Sequence, residues 1–477
     1  MAQTQPTINK DGTHRSLSNR HVQMIAIGGT IGTGLFLGAG TTISQTGPSV
    51  LLVYLILGLF FFLMMRGIGE MLYADPSQHT FVAYIGKYLG HRMGQFAGWT
   101  YWLGLVFLSM AELTAIGNYV QFWLPKVPAW LIELCVLAVL VLLNLSTARL
   151  FGETEFWFAM IKIVAIIALI ATGIFMTINH ASTPLGHAAV SNLFIDLHAF
   201  PKGFMAFAAA FPMVFFAFQG IEFISITIGE AKSPRTIIRK AVNNTLIRIL
   251  LFYICSLAVI MMIVPWKSIQ PDRSPFVQVF ELAGLPAAAA VINAVVLTAA
   301  ASALNSSIFS AGRHLYQIAT EAKSHHGFND FLAKISRNGI PAHGIVISGM
   351  LVLLAPFLSL FRGVSGAFTI VTGVSSDLYI VVYILAMLAH RRYRKSADFT
   401  PNGFLMPAYS ITSPLSIAFF GLIFLSLFVM PDDRAGAFGA IVWCLIFFVF
   451  YAFQARHERH NRHSQGMESL PDSKPTD

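Results

Sequence analysis

Twelve apolar runs succeed one another along the chain, at 21–41, 48–73, 93–123, 129–148, 155–178, 203–228, 245–265, 286–312, 343–361, 366–390, 408–430 and 435–455. Each is near the roughly 20 residues that a helix needs to cross a hydrocarbon layer of roughly 30 Å. Short polar connections separate them, and none is long enough to fold as a soluble unit. The pattern predicts an all-α polytopic membrane protein. Its domain of twelve transmembrane helices, 21–455, lies between a polar N-terminal tail at 1–20 and a disordered C-terminal tail at 456–477.

Two of the runs are apolar yet unfit to remain helical. The first reads VQMIAIGGTIGTGLFLGAG and holds six glycines between Gly28 and Gly40, the poorest helix formers after proline. Close helix packing through Gly28/Gly32 and Gly34/Gly38 explains part of this. It does not explain five glycines within eleven residues with Thr30 and Thr33 among them, so a broken helix is predicted. A dinucleotide-binding reading of GGTIGTG fails, because that turn must join a strand to a helix and here it lies inside a lipid-length run. The sixth run carries Pro212 and then Gln219, Gly220 and Glu222, a second interruption. Paired breaks in spans 1 and 6 predict two five-span halves of opposite orientation, with substrate held where they meet. A helix N-terminus exposed at such a break can hold a carboxylate, and freed carbonyls can hold an ammonium. An α-amino acid zwitterion matches both, with Phe215, Phe216 and Phe218 available to wall or gate its side chain.

Composition agrees: the chain is 56% hydrophobic and only 11% charged, too little polar surface to cover a soluble globule of 477 residues. Among 31 Lys and Arg, only Lys126, Lys202, Lys267, Arg273, Arg362 and Arg434 fall in loops on one side, while Lys162 is embedded. The bias places both termini in the cytoplasm of a multi-pass protein of the cytoplasmic membrane. The net charge of +9 therefore follows topology and meets anionic lipid headgroups. No basic recognition module is present, so nucleic acid is not expected as a partner. The three cysteines, Cys135, Cys255 and Cys444, all fall in spans, and neither disulfides nor metal sites are expected. No cofactor is implied.

A charge within a span costs roughly 2.5 to 3.5 kcal/mol on insertion scales, which marks Glu112, Lys162, Glu222 and Asp377 as candidates for function. Lys162 lies two turns inside the fifth span. Desolvation would bring its proton within reach of exchange during a transport cycle, whereas snorkelling is the structural alternative. Glu112 and Glu222 can each pair with a base, bind an amine or relay protons. Asp377 either faces the pathway and selects a polar side chain or faces another helix. Arg66 and Glu70, four residues apart, read as an intrahelical ion pair.

The segments LSNRHVQMIAIGGTIGTGLFLGAG, MRGIGEMLY, GWTYWLGLVFLSMAELTA, LFGETEFWFAMIKIVAIIALI and FAFQGIEFISITIGEAKSPRTI resemble those of bacterial amino acid permeases. These form the amino acid transporter family of the amino acid, polyamine and organocation superfamily. The resemblance implies a leucine-transporter-like fold of five plus five inverted repeats with two trailing helices, and proton-coupled uptake. It implies that Thr30, Ile31, Gly32, Thr33, Gly34, Phe216, Ala217, Phe218 and Gly220 surround the substrate backbone. It also implies that Lys162 stands where some relatives bind sodium, and that Glu222 and Glu230 flank the second break. The stretch PWKSIQPDRSPFVQVFELAGLPAAAAVINAVVLTAAASALNSS is most similar to permeases for alanine, serine and glycine, including D-enantiomers. Departures occur in ALNSSIFSAGRHLYQ and at Asp377. A permease for aromatic or basic amino acids or γ-aminobutyrate, or an amino acid exchanger, would share the same fold.

Three function classes compete. A secondary transporter needs a midplane site and a gradient, and this chain supplies the first. A membrane enzyme needs a nucleophile and base or a metal cluster with recognisable spacing, and none occurs. A sensor needs a signalling domain, for which the tails are too short. The expected ligands are an amino acid, a proton and membrane lipid, while oligomeric state stays unread.

Overall fold

Lipid offers a backbone no hydrogen-bonding partner but itself, so long apolar runs must become helices. The computed structural model of the chain obeys this rule. It describes residues 19–449 apart from 77, 79, 147, 195–199, 229–233, 323–326, 338, 429–433 and 435. Both tails and Glu230 thus lie outside the described residues. In chain order the helices are α1 (Asn19–Thr30), α2 (Thr33–Phe36), α3 (Gly38–Thr46), α4 (Val50–Ala74), α5 (Val82–Leu89), α6 (His91–Gln121), α7 (Ala129–Asn144) and α8 (Ala148–Ile178). There follow α9 (Phe204–Ala209), α10 (Phe211–Phe218), α11 (Phe223–Ile228), α12 (Pro234–Ile263), α13 (Pro275–Leu282) and α14 (Pro286–Thr320). The last are α15 (Phe328–Leu332), α16 (Ala342–Val352), α17 (Leu354–Tyr393), α18 (Tyr409–Leu427) and a terminal apolar helix, α19 (Gly436–Val449). A two-stranded hairpin, Ser182–Thr183 with Gly186–His187, follows α8.

Among the described residues, eight helical stretches are long and apolar enough to cross a membrane. One runs from Ala342 to Tyr393, 52 residues, or about 78 Å of straight helix, far more than one bilayer. It turns at Gly363, whose φ of 69° breaks the helical path.

Both predicted interruptions are present. α1 stops at Thr30, and Gly32 is extended at φ −125° and ψ −151° before α2 begins. α10 stops at Phe218, Gln219 is extended, and Gly220 has φ 93°. The two interruptions cross in contact. A Cβ on Gly220 would lie 2.5 Å from the Gly29 carbonyl oxygen and 3.2 Å from the Thr30 nitrogen, and one on Gly34 would overlap the Ala217 backbone. Gly220 is thus required both for its left-handed φ and for this approach.

Aromatic packing holds α10 in place from behind. Phe61 of α4 stacks on Phe218 at 5.0 Å and meets Phe215 at 5.1 Å, Tyr383 at 5.8 Å and Phe420 at 5.9 Å. Outward surfaces are apolar: on α8, Trp157, Val164 and Phe175 are all more than half exposed while Glu155 and Lys162 are fully buried. Such a helix presents its greasy face to lipid and its charges to the interior. We expect Gly220→Ala to cost about 1–3 kcal/mol through strain at the crossing. Thermal unfolding of the purified variant in detergent should show this as a lowered transition, and an unchanged midpoint would contradict the crossing.

Candidate functional site

The first break frees backbone groups of both polarities, and charged side chains meet them. Gly32 N–H turns to the Thr30 carbonyl at 3.0 Å, so the Gly28 carbonyl loses its helical partner. The Lys162 ammonium donates to that Gly28 carbonyl and to the Ile31 carbonyl, the latter at 2.9 Å. Thr33 N–H, at the start of α2, points between the Glu112 oxygens at 3.2 Å from each. Lys162 is 0% exposed and Glu112 2%, which excludes the snorkelling alternative for Lys162. The anion position at this helix start is held by a carboxylate of the protein itself. A Cβ on Gly32 would collide with that carboxylate and lie 2.9 Å from the Ala303 Cβ.

Glu155 completes the cluster, and sequence reasoning missed it. It lies seven residues before Lys162, two turns back on the same face of α8, but its place at the head of an apolar run made it look like a helix-end charge. It is fully buried against Gly28. The Ser302 hydroxyl donates to its Oε1, and Asn305 Nδ2 is 3.5 Å from its Oε2. Asn144 Nδ2 in turn donates to Asn305 Oδ1 at 2.8 Å. The buried ammonium thus sits on two carbonyls in a cluster that also holds the carboxylates of Glu112 and Glu155, and a buried ion requires such company.

At the second break Glu222 is held by hydrogen bonds. Its carboxylate accepts from Tyr383 at 2.7 Å, Tyr101 at 3.0 Å and Gly220 N–H at 3.0 Å. It ties the break to α6 and α17. Tyr253 of α12, unremarked in the sequence because a lone tyrosine in an apolar run is ordinary, joins the two breaks. Its hydroxyl lies 2.7 Å from the Ala217 carbonyl and 3.1 Å from the Thr30 carbonyl, and its single proton serves one at a time. Gln219 Oε1 accepts from Ser375 at 2.8 Å.

Of the residues expected to surround substrate, Thr30 meets Gly220 and Gly34 meets Ala217 through backbone atoms at the crossing, while Ile31, Gly32 and Thr33 line the first break against Lys162 and Glu112. The Thr33 side chain is buried there beside Glu112. The three phenylalanines separate. Phe216 faces Phe368 at 6.1 Å, whereas Phe215 and Phe218 point back into the α4 cluster. Asp377 is buried against α19, with one oxygen 2.5 Å from where a Gly436 Cβ would be. Arg66 and Glu70 do not pair with each other as expected. Glu70 is held by Arg394 at 2.5 Å and by His390 at 3.2 Å. Arg66 instead bonds Asn243 at 3.0 Å and the Leu405 carbonyl, and lies over the Phe404 ring. Tertiary neighbours offered better geometry than the helical i, i+4 spacing.

Comparison with known proteins agrees with this architecture. The family described as amino acid permease matches residues 21–464. A DL-alanine permease of Lactococcus lactis is 47% identical over 445 residues, 93% of this chain and 96% of that one. A serine permease of the same organism is 48% identical, covering 91% of this chain and 96% of its own. A D-serine/D-alanine/glycine transporter of Escherichia coli is 42% identical, covering 90% and 91%. With its apolar helices, the family match over 21–464 and these permeases as relatives, the chain belongs to the amino acid permease family.

Proposed function

We propose that this permease is a proton-coupled symporter that imports small neutral amino acids, alanine and serine foremost, across the bacterial cytoplasmic membrane. The carrying observation is the Lys162 ammonium on the Gly28 and Ile31 carbonyls beside a Glu112 carboxylate on the Thr33 N–H. In this reading the fold has twelve spans with both termini inside. The stretches Gly38–Ala74 and Ala342–Tyr393 each double back, and α7 and α19 cross as short helices. Two inverted five-span halves meet at the crossing of the breaks.

The mechanism follows from charge. With Lys162 protonated and Glu112 and Glu155 ionised, the cluster carries one net negative charge in a medium that penalises it. A zwitterion does not change that balance, whereas one proton neutralises it. Protonation loosens Glu112 from Thr33 N–H, which then accepts the substrate carboxylate. Freed carbonyls near Thr30 and Ala217 take the ammonium. Loss of the proton to the cytoplasm restores Glu112 to Thr33 and expels the amino acid. Lys162 keeps the break open throughout, and its charge holds Glu112 ionised until the next proton arrives. A single charge crossing 100 mV supplies about 2.3 kcal/mol for accumulation. Three features support a small substrate: the names of the relatives, the closeness of Ala303 to Gly32, and Asp377 facing α19.

Two outcomes follow. In proteoliposomes under an inward proton gradient, Lys162→Ala should abolish accumulation of labelled L-alanine while preloaded vesicles retain exchange. Full gradient-driven uptake by that variant would sink the coupling role. Gly32→Leu should weaken binding of alanine to the transport site about a hundredfold, about 2.8 kcal/mol, because its side chain enters the space between Glu112 and Ala303. Equilibrium binding with unchanged affinity would put the transport site elsewhere.

A further inference from the structure

A second polar cavity, of about 240 Å³, lies where α6 ends, between that helix, the loop before α13, and α14. Its walls include Tyr119, Asp272, Arg273, Ser274 and Asn293. Two of these carry an unspent group. The Tyr119 hydroxyl and the Ser274 hydroxyl belong to residues only 2% and 4% exposed, and neither has a hydrogen-bond partner among the described residues. Buried hydroxyls are seldom left so, and each calls for a partner such as water, an ion or a ligand.

Charges of both signs flank them. Arg273 commits Nη2 to Glu281, at 2.9 and 2.7 Å from its two oxygens, and its guanidinium makes no other hydrogen bond among the described residues. Asp272 stands next to it. A cation that offers a planar fork, a neighbouring carboxylate and two hydroxyls are the groups that recognise a carboxylate, an ammonium and a small polar side chain. The cavity is also in line with the first break. Tyr119 and Glu112 are seven residues apart on one face of α6, about 10 Å of rise.

The cavity floor is linked to the broken first span. Thr41 donates to the Pro271 carbonyl at 3.0 Å, a Cβ on Gly40 would lie 2.6 Å from the Arg273 carbonyl oxygen, and Phe276 packs edge-on against Phe36 at 4.7 Å. This loop opens the stretch PWKSIQPDRSPFVQVFELAGLPAAAAVINAVVLTAAASALNSS, whose later residues reach the first break at Ala303.

We propose that this cavity is an outer docking site for the zwitterion of a small α-amino acid. It would be occupied before the molecule reaches the crossing, with carboxylate on Arg273, ammonium toward Asp272, and the Tyr119 and Ser274 hydroxyls completing the shell. The inference rests on the transport reading only for the direction of travel.

The test is equilibrium binding of labelled L-alanine to the purified full-length protein in detergent. Gly32→Leu, which crowds the inner site, should retain one weak component, and adding Tyr119→Phe with Ser274→Ala should remove it. A folded Gly32→Leu protein that binds no alanine would overturn the proposal. Because Gly32→Leu also stresses the crossing, entry kinetics give an independent arm. In the otherwise native chain, Tyr119→Phe with Ser274→Ala should raise the KM for entry roughly tenfold, as expected for two lost hydrogen bonds. The maximal rate and the KM for efflux from the opposite side should hold. An unmoved entry KM would overturn the docking site. Binding that survives at the cavity in a protein unable to accumulate alanine would overturn the transport reading alone.

Discussion

The contact between the Lys162 ammonium and the carbonyls of Gly28 and Ile31 is the constraint from which the rest of this molecule follows. A helix broken inside lipid exposes carbonyls with nothing to accept from and N–H groups with nothing to donate to. Lys162 answers the first need and Glu112 the second, through Thr33 N–H. Each is a buried charge that would be prohibitive alone, and each makes the other tolerable. Glu155, with Ser302 and Asn305 behind it, extends the compensation into α14.

The second break is secured by different means. Glu222 is fastened by two phenols and a backbone N–H, so it acts as a tie between α11, α6 and α17. What joins the two breaks is close packing, Gly220 against Gly29 and Gly34 against Ala217, with one tyrosine hydroxyl between the Thr30 and Ala217 carbonyls. The aromatic cluster around Phe61 braces one side, and the Glu155 network braces the other.

Much of this was legible in the sequence, because the bilayer is an unforgiving solvent. Six glycines in one apolar run and a Gln-Gly-Ile-Glu in another have few meanings there, and Lys162 announced itself by its cost. What was hidden depended on rotation and on neighbours. Glu155 looked peripheral because run boundaries blur within a turn. Tyr253 looked like filler because apolar runs hold many aromatics. Asp377 offered two faces that only packing against Gly436 resolves. Phe215, Phe216 and Phe218 are adjacent in sequence yet point in separate directions on a helix, so composition grouped what geometry divides. The Arg66 and Glu70 spacing was a fair local signal, overridden by Arg394 arriving from more than three hundred residues away.

The central claim is that a proton accompanies each amino acid through the Lys162 cluster. The most direct measurement loads sealed proteoliposomes with a pH-sensitive dye, clamps the membrane potential at zero with no initial pH difference, and adds L-alanine outside. Symport predicts acidification of the lumen that tracks alanine entry and is absent with a non-transported amino acid. Alanine entry with a constant lumenal pH would contradict it.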